Sequence, residues 1–394
     1  MHVIEVNDLR TLEAYKQPWL DLLDQVSGSS TVFASPSWVV EWWREFGDGA
    51  ELRVLLLMQE TTLIGIAPLA IWRWPVAAGP VRVLRFVGYG TSDHLDFCVH
   101  PEHRSAGLKL LCDHIRQELR WHLADLLDVP QDSPNLELMR SALGRGAQTT
   151  SLLRGIVCPY LRLEARPWDA FYAAQRSKSS RKDLERRQRR LAELGDLVYR
   201  RYDDPAEVRQ VFPKLVALYA KRWDEQFLSV SFAGAQEQRF YPAMATAFAE
   251  QGRLDLITLE LDQRVLAFSL GVVHQRYFTW LITAHDPEYA KYFPGELMIT
   301  HLLERVFSRG DIEEFDFTRG EESYKYKWAN AERDNMRLLV ARPSPLGLVP
   351  LAGTGAYSAL RRQAKKSRLL REMKLSWMGK LQGIFKSFSR RLQR

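Results

Sequence analysis

From residue 253 to residue 328 the chain changes its hydrophobic period several times, and each change marks an element. Apolar residues over 254–261 are spaced around Asp255, Thr258 and Glu260, while 265–273 is a mostly apolar run. Asp262-Gln263-Arg264 between them reads as a tight turn, so the pair predicts a β-hairpin. A third strand is expected over 276–283, ending at Ala284-His285-Asp286-Pro287. After a loop closing on Phe293-Pro294-Gly295-Glu296 the period lengthens: Met298, Leu302 and Val306 recur every fourth residue, one face of a helix. A short apolar strand, 314–318, then runs into Arg319-Gly320-Glu321-Glu322-Ser323-Tyr324-Lys325-Tyr326-Lys327-Trp328.

The N-terminal half repeats this order. Residues 52–58 and 63–72 form a second candidate strand pair, 81–87 and 94–99 are further strands, and 108–119 is a helix entered through His100-Pro101-Glu102-His103-Arg104-Ser105-Ala106-Gly107-Leu108-Lys109. Between the halves, 176–195 is a charged helix with Arg176, Lys178, Arg181, Lys182, Arg186, Arg187, Arg189 and Arg190 against few acids. It reads either as a solvated connector or as an electropositive wall that attracts anionic ligands. The stripe Trp38, Trp42, Trp43 and Phe46 reads as core packing.

A group-transfer site needs a polarised carbonyl, a base for the attacking group and a donor for the leaving group. Proline costs nothing in a first helical turn, and glycine there lets an anion approach the free amides at the positive end of the helix dipole. Phe293, Pro294, Gly295 and Glu296, with Lys325 as a phosphate or carboxylate contact, are therefore the candidate donor-binding residues. Glu321 is the candidate base, with Glu322 beside it; one of the two can instead cap the following segment or pair with Arg319. Asp316, between two phenylalanines, needs a partner if buried, either Arg319 or Lys325, or else serves as a base or substrate orienter. Tyr324 is a half-buried aromatic or a proton donor. His285 and Asp286 end a strand in the second half, as Asp93, His94 and Asp96 do in the first, and the two clusters are expected to face each other if both serve one site. Arg222 and Trp223 end an amphipathic helix over 211–223 and are candidate acceptor contacts, with packing as the alternative; Arg319 and Glu322 are counted with them.

Phe315-Asp316-Phe317 leading to Arg319-Gly320-Glu321 and Tyr324-Lys325, preceded by Pro294-Gly295, resembles the GNAT acyltransferase superfamily, and within it the cellulose-biosynthesis acetyltransferases of the CelD/BcsL type. That branch is similar to the Fem-type aminoacyltransferases. The likeness is strongest over about 165–330 and continues more weakly back to residue 30. It implies an α/β (α+β) fold of tandem GNAT-like domains, each a mixed, mainly antiparallel sheet flanked by helices. The expected division is 1–165 as a degenerate N-terminal copy, 166–342 as the transferase domain, 343–360 as a linker and 361–394 as a basic amphipathic helix. The implied activity is transfer of an acyl group, acetyl by resemblance, from acetyl-CoA as co-substrate to an amine or hydroxyl of a small-molecule or saccharide acceptor in polysaccharide or cell-envelope metabolism. An aminoacyl-tRNA donor, or a non-catalytic scaffold of an envelope-polysaccharide assembly, are the other readings. The first-half loop resembles the general GNAT cofactor loop in Arg104 and Gly107, with Lys109 in place of its last small residue.

Composition narrows the setting. The 394 residues suit two domains of ordinary size. Cys98, Cys112 and Cys158 are scattered without ligand spacing, so neither a disulfide framework nor a metal site is expected, and a reducing, cytoplasmic compartment is. No signal-peptide pattern opens the chain, and no apolar run is long enough to span a membrane. The net charge of +7 is uneven: residues 361–394 carry 12 Lys/Arg and one Glu, +11, while 1–360 carry 43 basic and 47 acidic residues, −4. A general DNA-binding surface on the body is therefore not expected. In the tail, Leu370, Met373, Trp377, Leu381, Ile384, Phe388 and Leu392 recur at helical spacing among the basic residues. The expectation is a helix on an anionic membrane surface at the inner face, with docking to a partner protein or packing on the body as alternatives.

Overall fold

The computed structural model describes residues 1–75, 79–164, 166–223, 232 and 234–353. Among them, thirteen strands build one sheet: β1 (His2–Val6), β2 (Ala50–Gln59), β3 (Thr62–Trp74), β4 (Val81–Phe86), β5 (Cys98–Val99), β6 (Leu123–Pro130), β7 (Thr149–Arg162), β8 (Leu197–Tyr202), β9 (Leu254–Leu261), β10 (Arg264–His274), β11 (Tyr277–His285), β12 (Glu314–Asp316) and β13 (Ala331–Ala341). Their spatial order is β1-β2-β3-β4-β6-β13-β7-β12-β11-β10-β9-β8, with β5 paired to β3.

This order is a palindrome of pairing directions. Inward from β1 come three antiparallel pairs, then the parallel pair β4–β6, then antiparallel β6–β13. Inward from β8 come three antiparallel pairs, then parallel β11–β12, then antiparallel β12–β7. The sheet is thus two copies of one six-strand unit, joined where β13 pairs antiparallel with β7. Each copy is completed by a strand from the other end of the chain: β13 pairs with β6, and β7 with β12. The fold is α/β with tandem halves, as the repeated strand and helix periods predict.

The seam between the copies depends on one small residue. Gly155 lies in β7 beside the register shift at Asp334 and Met336, and a Cβ there would stand 2.5 Å from the Asn335 carbonyl oxygen. A backbone atom cannot step aside as a side chain can. Gly155→Ala is expected to cost on the order of 1–3 kcal/mol, seen as a lower urea midpoint; an unchanged midpoint would contradict so close a seam.

Helices cover both faces. Pro36–Phe46 is capped by Ser35, whose Oγ accepts the Trp38 N–H (3.3 Å), and it buries Trp38 and Trp42; Trp38 packs edge-on against Phe33 and Phe240. The aromatic stripe is core, as its spacing predicts. Pro294–Arg309 buries Leu297, Met298, Leu302 and Val306 in one cluster with Leu266, Phe315 and Phe317. Lys178–Ala192, capped by Ser177, buries Leu184 and Leu191. Residues 345–353 are helical, and Leu346 and Leu351 pack on a small cluster under β4, β6 and β13. The expected tail helix at 361–394 lies outside the described residues. Among those described, no helix is long and apolar enough to cross a membrane.

One contact across the two halves titrates. His274, at the end of β10, donates from Nε2 to the Leu23 carbonyl (3.1 Å) on helix Lys16–Leu23. Burial, reinforced by Arg253, pulls its pKa down to about 4. The folded pKa lies below the unfolded one, so this contribution is present above pH ~6.5 and is lost as pH falls toward the folded value. Between pH 7 and pH 5 the loss is about 2 kcal/mol, and His274→Gln should lose that much less than the wild type over the same interval in urea unfolding. Equal losses would show that this imidazole is not buried neutral.

Candidate active site

β11 pairs with β10 from end to end but with β12 only at Tyr277, Phe278 and Thr279. Beyond Thr279 the two part, because the chain after Asp316 follows β7: the Phe317 N–H donates to the Pro159 carbonyl and the Gly320 N–H to Val157, both at 3.1 Å. From Trp280 to His285 one edge of β11 thus has no strand beside it among the described residues. Thr318 closes the apex of this wedge, its Oγ donating to the Trp280 carbonyl (3.1 Å). A β-bulge falls at the same place: Gly271 faces Trp280 and Leu270 faces Ile282, leaving Leu281 as the extra residue, its peptide out of the ladder. Backbone groups so released need other partners.

The wedge leads to the start of helix Pro294–Arg309. Phe293 turns the chain in there with φ 56°. Glu296 and Leu297 both donate their N–H to the Phe293 carbonyl at 3.0 Å, and Pro294 has none to offer, so Gly295 presents the first-turn amide. A Cβ on Gly295 would lie 2.9 Å from His285 Nδ1, so the absent side chain is what lets the end of β11 approach the helix. The Phe293 ring is 46% exposed and lies under the Arg187 guanidinium, 3.9 Å from its centroid. Glu296 is ion-paired with Arg176 and lies 3.8 Å from Lys327. The basic helix is therefore docked, not free in solvent. It brings Arg187 onto Phe293 and the Lys291 carbonyl, while Asp183 holds Arg186 and Arg187.

The turn after β12 frames the apex. Gly320 (φ 118°) folds it back so that Glu322 approaches Lys325 (3.1 Å), and Lys325 Nζ donates to the Arg319 carbonyl (2.6 Å). Lys325 is buried and holds the turn, which takes it away from the phosphate contact expected of it. Glu321 and Glu322 are exposed. Tyr324 is half-buried, its ring perpendicular to Trp280 at 6.1 Å. Burial, with Glu322 and Tyr219 nearby, pushes its pKa up, so the phenol stays protonated.

Asp316 is paired across the seam with neither of the residues expected. His94 Nε2 lies 2.7 Å from Asp316 Oδ2 and its Nδ1 lies 2.9 Å from Asn335 Oδ1, with both side chains of the pair buried. Burial alone would lower the His94 pKa and raise that of Asp316; their mutual attraction reverses both, His94 upward and Asp316 downward. Asp316 also accepts the Thr318 N–H (2.7 Å), which fixes the apex residue. Arg319 pairs with Asp93 and lies 3.5 Å from Asp128. Asp93 and His94 engage Arg319 and Asp316, whereas Asp286 is held by Lys221 (2.9 Å) and Arg264 (2.5 Å).

Residues 178–326, the stretch that forms the wedge, match the family model Acetyltransferase (GNAT) domain. The chain carries a GNAT domain and is an acyltransferase. FemX has a similar structure, at 12% identity and TM-score 0.55 over 85% of this chain and 97% of that one. So has a conserved protein of unknown function from Bacteroides thetaiotaomicron VPI-5482, at 12% identity and TM-score 0.53 over 86% and 100%. These likenesses concern the fold. Among curated proteins, none matches the sequence significantly.

The first half of this GNAT-domain protein handles its own wedge differently. The strand expected over 94–99 shrinks to Cys98–Val99, because Gly88 and Gly90 (φ 99° and 86°) send residues 87–97 on an excursion. The excursion returns beside β6, its Leu95 N–H donating to the Asp128 carbonyl (2.8 Å), with Leu95 and Phe97 buried. The space opened by β11 in the second half is filled here by the chain itself. Arg222 and Trp223 end helix Pro205–Trp223, and their side chains lie outside the described parts. His100, Glu102 and His103 bring metal-ligating atoms within 4.8 Å of one another, a grouping not foreseen from the cysteine spacing. Leu281, Thr318, Arg176 and Arg187 were also not singled out as site residues; only the basic run around the two arginines carried a signal.

Proposed function

We propose that this chain moves an acyl group, acetyl by the CelD/BcsL resemblance, from a CoA thioester to an amine or hydroxyl of a small-molecule or saccharide acceptor in polysaccharide or cell-envelope metabolism. The observation that carries the reading is the open β11 edge running from the Leu281 bulge to the Gly295 amide. An extended chain with amide groups can pair with that edge as a strand would. A diphosphate at its end meets the helix dipole and the cations Arg187 and Lys327 beside the entrance. The filled wedge of the first half supports placing the donor in the second.

In this reading the peptide released at Leu281 polarises the thioester carbonyl at the apex. Glu321 accepts the proton of the attacking amine or hydroxyl. As the tetrahedral intermediate collapses the C–S bond breaks, and Tyr324 gives its proton to the departing thiolate. The products are the acylated acceptor and free CoA. Asp316 and His94 position the apex through Thr318 and do not touch substrate.

Thermal unfolding with acetyl-CoA, free CoA and longer acyl-CoAs tests the proposal. A ligand present at 100 times its Kd stabilises by about 2.7 kcal/mol, so a clear rise in Tm is expected. No rise with any of them would overturn the acyl-CoA donor in favour of an aminoacyl-tRNA donor or a scaffold.

A further inference from the structure

The excursion over 87–97 leaves part of the first half unfilled. Behind it lies a cavity of ≈ 190 Å³, bounded by loop 26–34, by Asp96 to Val99 with Arg104, by 130–135, by Arg333 of β13, and by Tyr277 and Glu314 from the other copy. It is far larger than the roughly 10–15 Å³ that holds one water, and smaller than the pockets of about 300–1,000 Å³ that take drug-sized ligands. A molecule of amino-acid size is what it can hold.

Its polar groups are unevenly satisfied. Asn135 is 5% exposed; its Nδ2 donates to the Phe97 carbonyl (2.8 Å), but its Oδ1 has no hydrogen-bond partner. An acceptor buried without a donor is costly, so this oxygen calls for a donor from inside the cavity. Asp96, also buried, accepts from Ser133 (2.5 Å) and from the Phe97 N–H (2.7 Å) and adds a carboxylate to the same wall. Arg104 Nε, which lines the cavity too, has no hydrogen-bond partner, and neither has Arg333 Nε, although the Arg333 guanidinium is ion-paired with Glu314 (2.5 Å) and its Nε lies 3.8 Å from Asp132. Thus oxygen acceptors and guanidinium N–H donors without a hydrogen bond border one small volume, and Asp132, 55% exposed, marks its rim.

We infer that this cavity binds a small zwitterion of the α-amino-acid type, its ammonium on Asn135 Oδ1 and Asp96 and its carboxylate on Arg104 and Arg333. The site is separate from the donor wedge, since the open edge of β11 from Trp280 to His285 and Gly295 take no part in it. Glu314 reaches it from β12, two residues before Asp316, so an occupant would brace the same strand that carries the seam pair.

The test uses the full chain without any acyl-CoA: thermal unfolding and calorimetric titration with glycine, serine, alanine, aspartate and lysine at millimolar concentration, and with ethylamine and acetate as single-charge controls. At least one amino acid should raise Tm by about 2–4 °C while both controls leave it unchanged. Arg104→Met, at the start of a surface helix, should keep the fold by circular dichroism and bind that amino acid at least tenfold more weakly. Asn135→Leu removes the orphan oxygen, but also the bond to Phe97, so Arg104→Met decides if that variant fails to fold. No shift with any amino acid, an equal response to acetate alone, or undiminished binding by folded Arg104→Met would each overturn the inference.

Discussion

Asp316→Ala is expected to destabilise the protein by about 3–5 kcal/mol, because removing one member of a buried ion pair strands the other. His94 is wholly enclosed, and its remaining hydrogen bond goes to the amide oxygen of Asn335. Without the carboxylate the imidazolium must give up its proton or sit uncompensated in the seam. His94→Leu with Asp316→Leu should recover much of the loss, since apolar groups of similar volume tolerate such a site better than a lone charge does. The pH dependence has a definite sign. The raised pKa of His94 makes its contribution fully present below pH ~6.5 and lost as pH rises through the folded value; the lowered pKa of Asp316 makes its own present above ~3.9 and lost on acidification. The pair is worth most between those limits. A cost for Asp316→Ala below about 1 kcal/mol by urea unfolding at pH 6 would mean that the pair does not hold the seam.

Tyr324→Phe is expected to lower kcat for acyl transfer by about 10²-fold or more, the range of a general acid, while the KM for the donor stays nearly constant. The phenol is kept protonated by burial and by its neighbours, so at neutral pH it can give a proton but cannot accept one. Removing one oxygen leaves the ring packed against Trp280. The loss should therefore appear in turnover and not in stability, and it should shrink for donors whose leaving thiol is more acidic. A Tyr324→Phe enzyme with wild-type kcat would take the proton donor out of this mechanism.

Much of the second half was legible in the sequence because its signals are local. The period-two runs, the Asp262-Gln263-Arg264 turn, the Pro294-Gly295 entrance and the fourfold spacing of Met298, Leu302 and Val306 each follow from neighbours a few residues apart. What stayed hidden is set by distance along the chain. Asp316 and His94 are 222 residues apart, whereas the sequence near Asp316 offers Arg319 and Lys325 as ionic partners. The bulge at Leu281 exists only relative to the register of β10, and the exchange of β7 and β13 only relative to the whole sheet. Residues 94–99 read as a strand, but His94 and Asp96 find hydrogen-bonding partners in the interior rather than a strand ladder, so most of the segment belongs to a buried excursion.

The claim on which the functional account rests is that the donor lies along the open edge of β11. Amide hydrogen exchange with and without acetyl-CoA, read by mass spectrometry, tests it directly. Added protection should appear in peptides spanning 280–297 and not in those spanning 98–107. Protection in the first-half segment instead, or in neither, would contradict it.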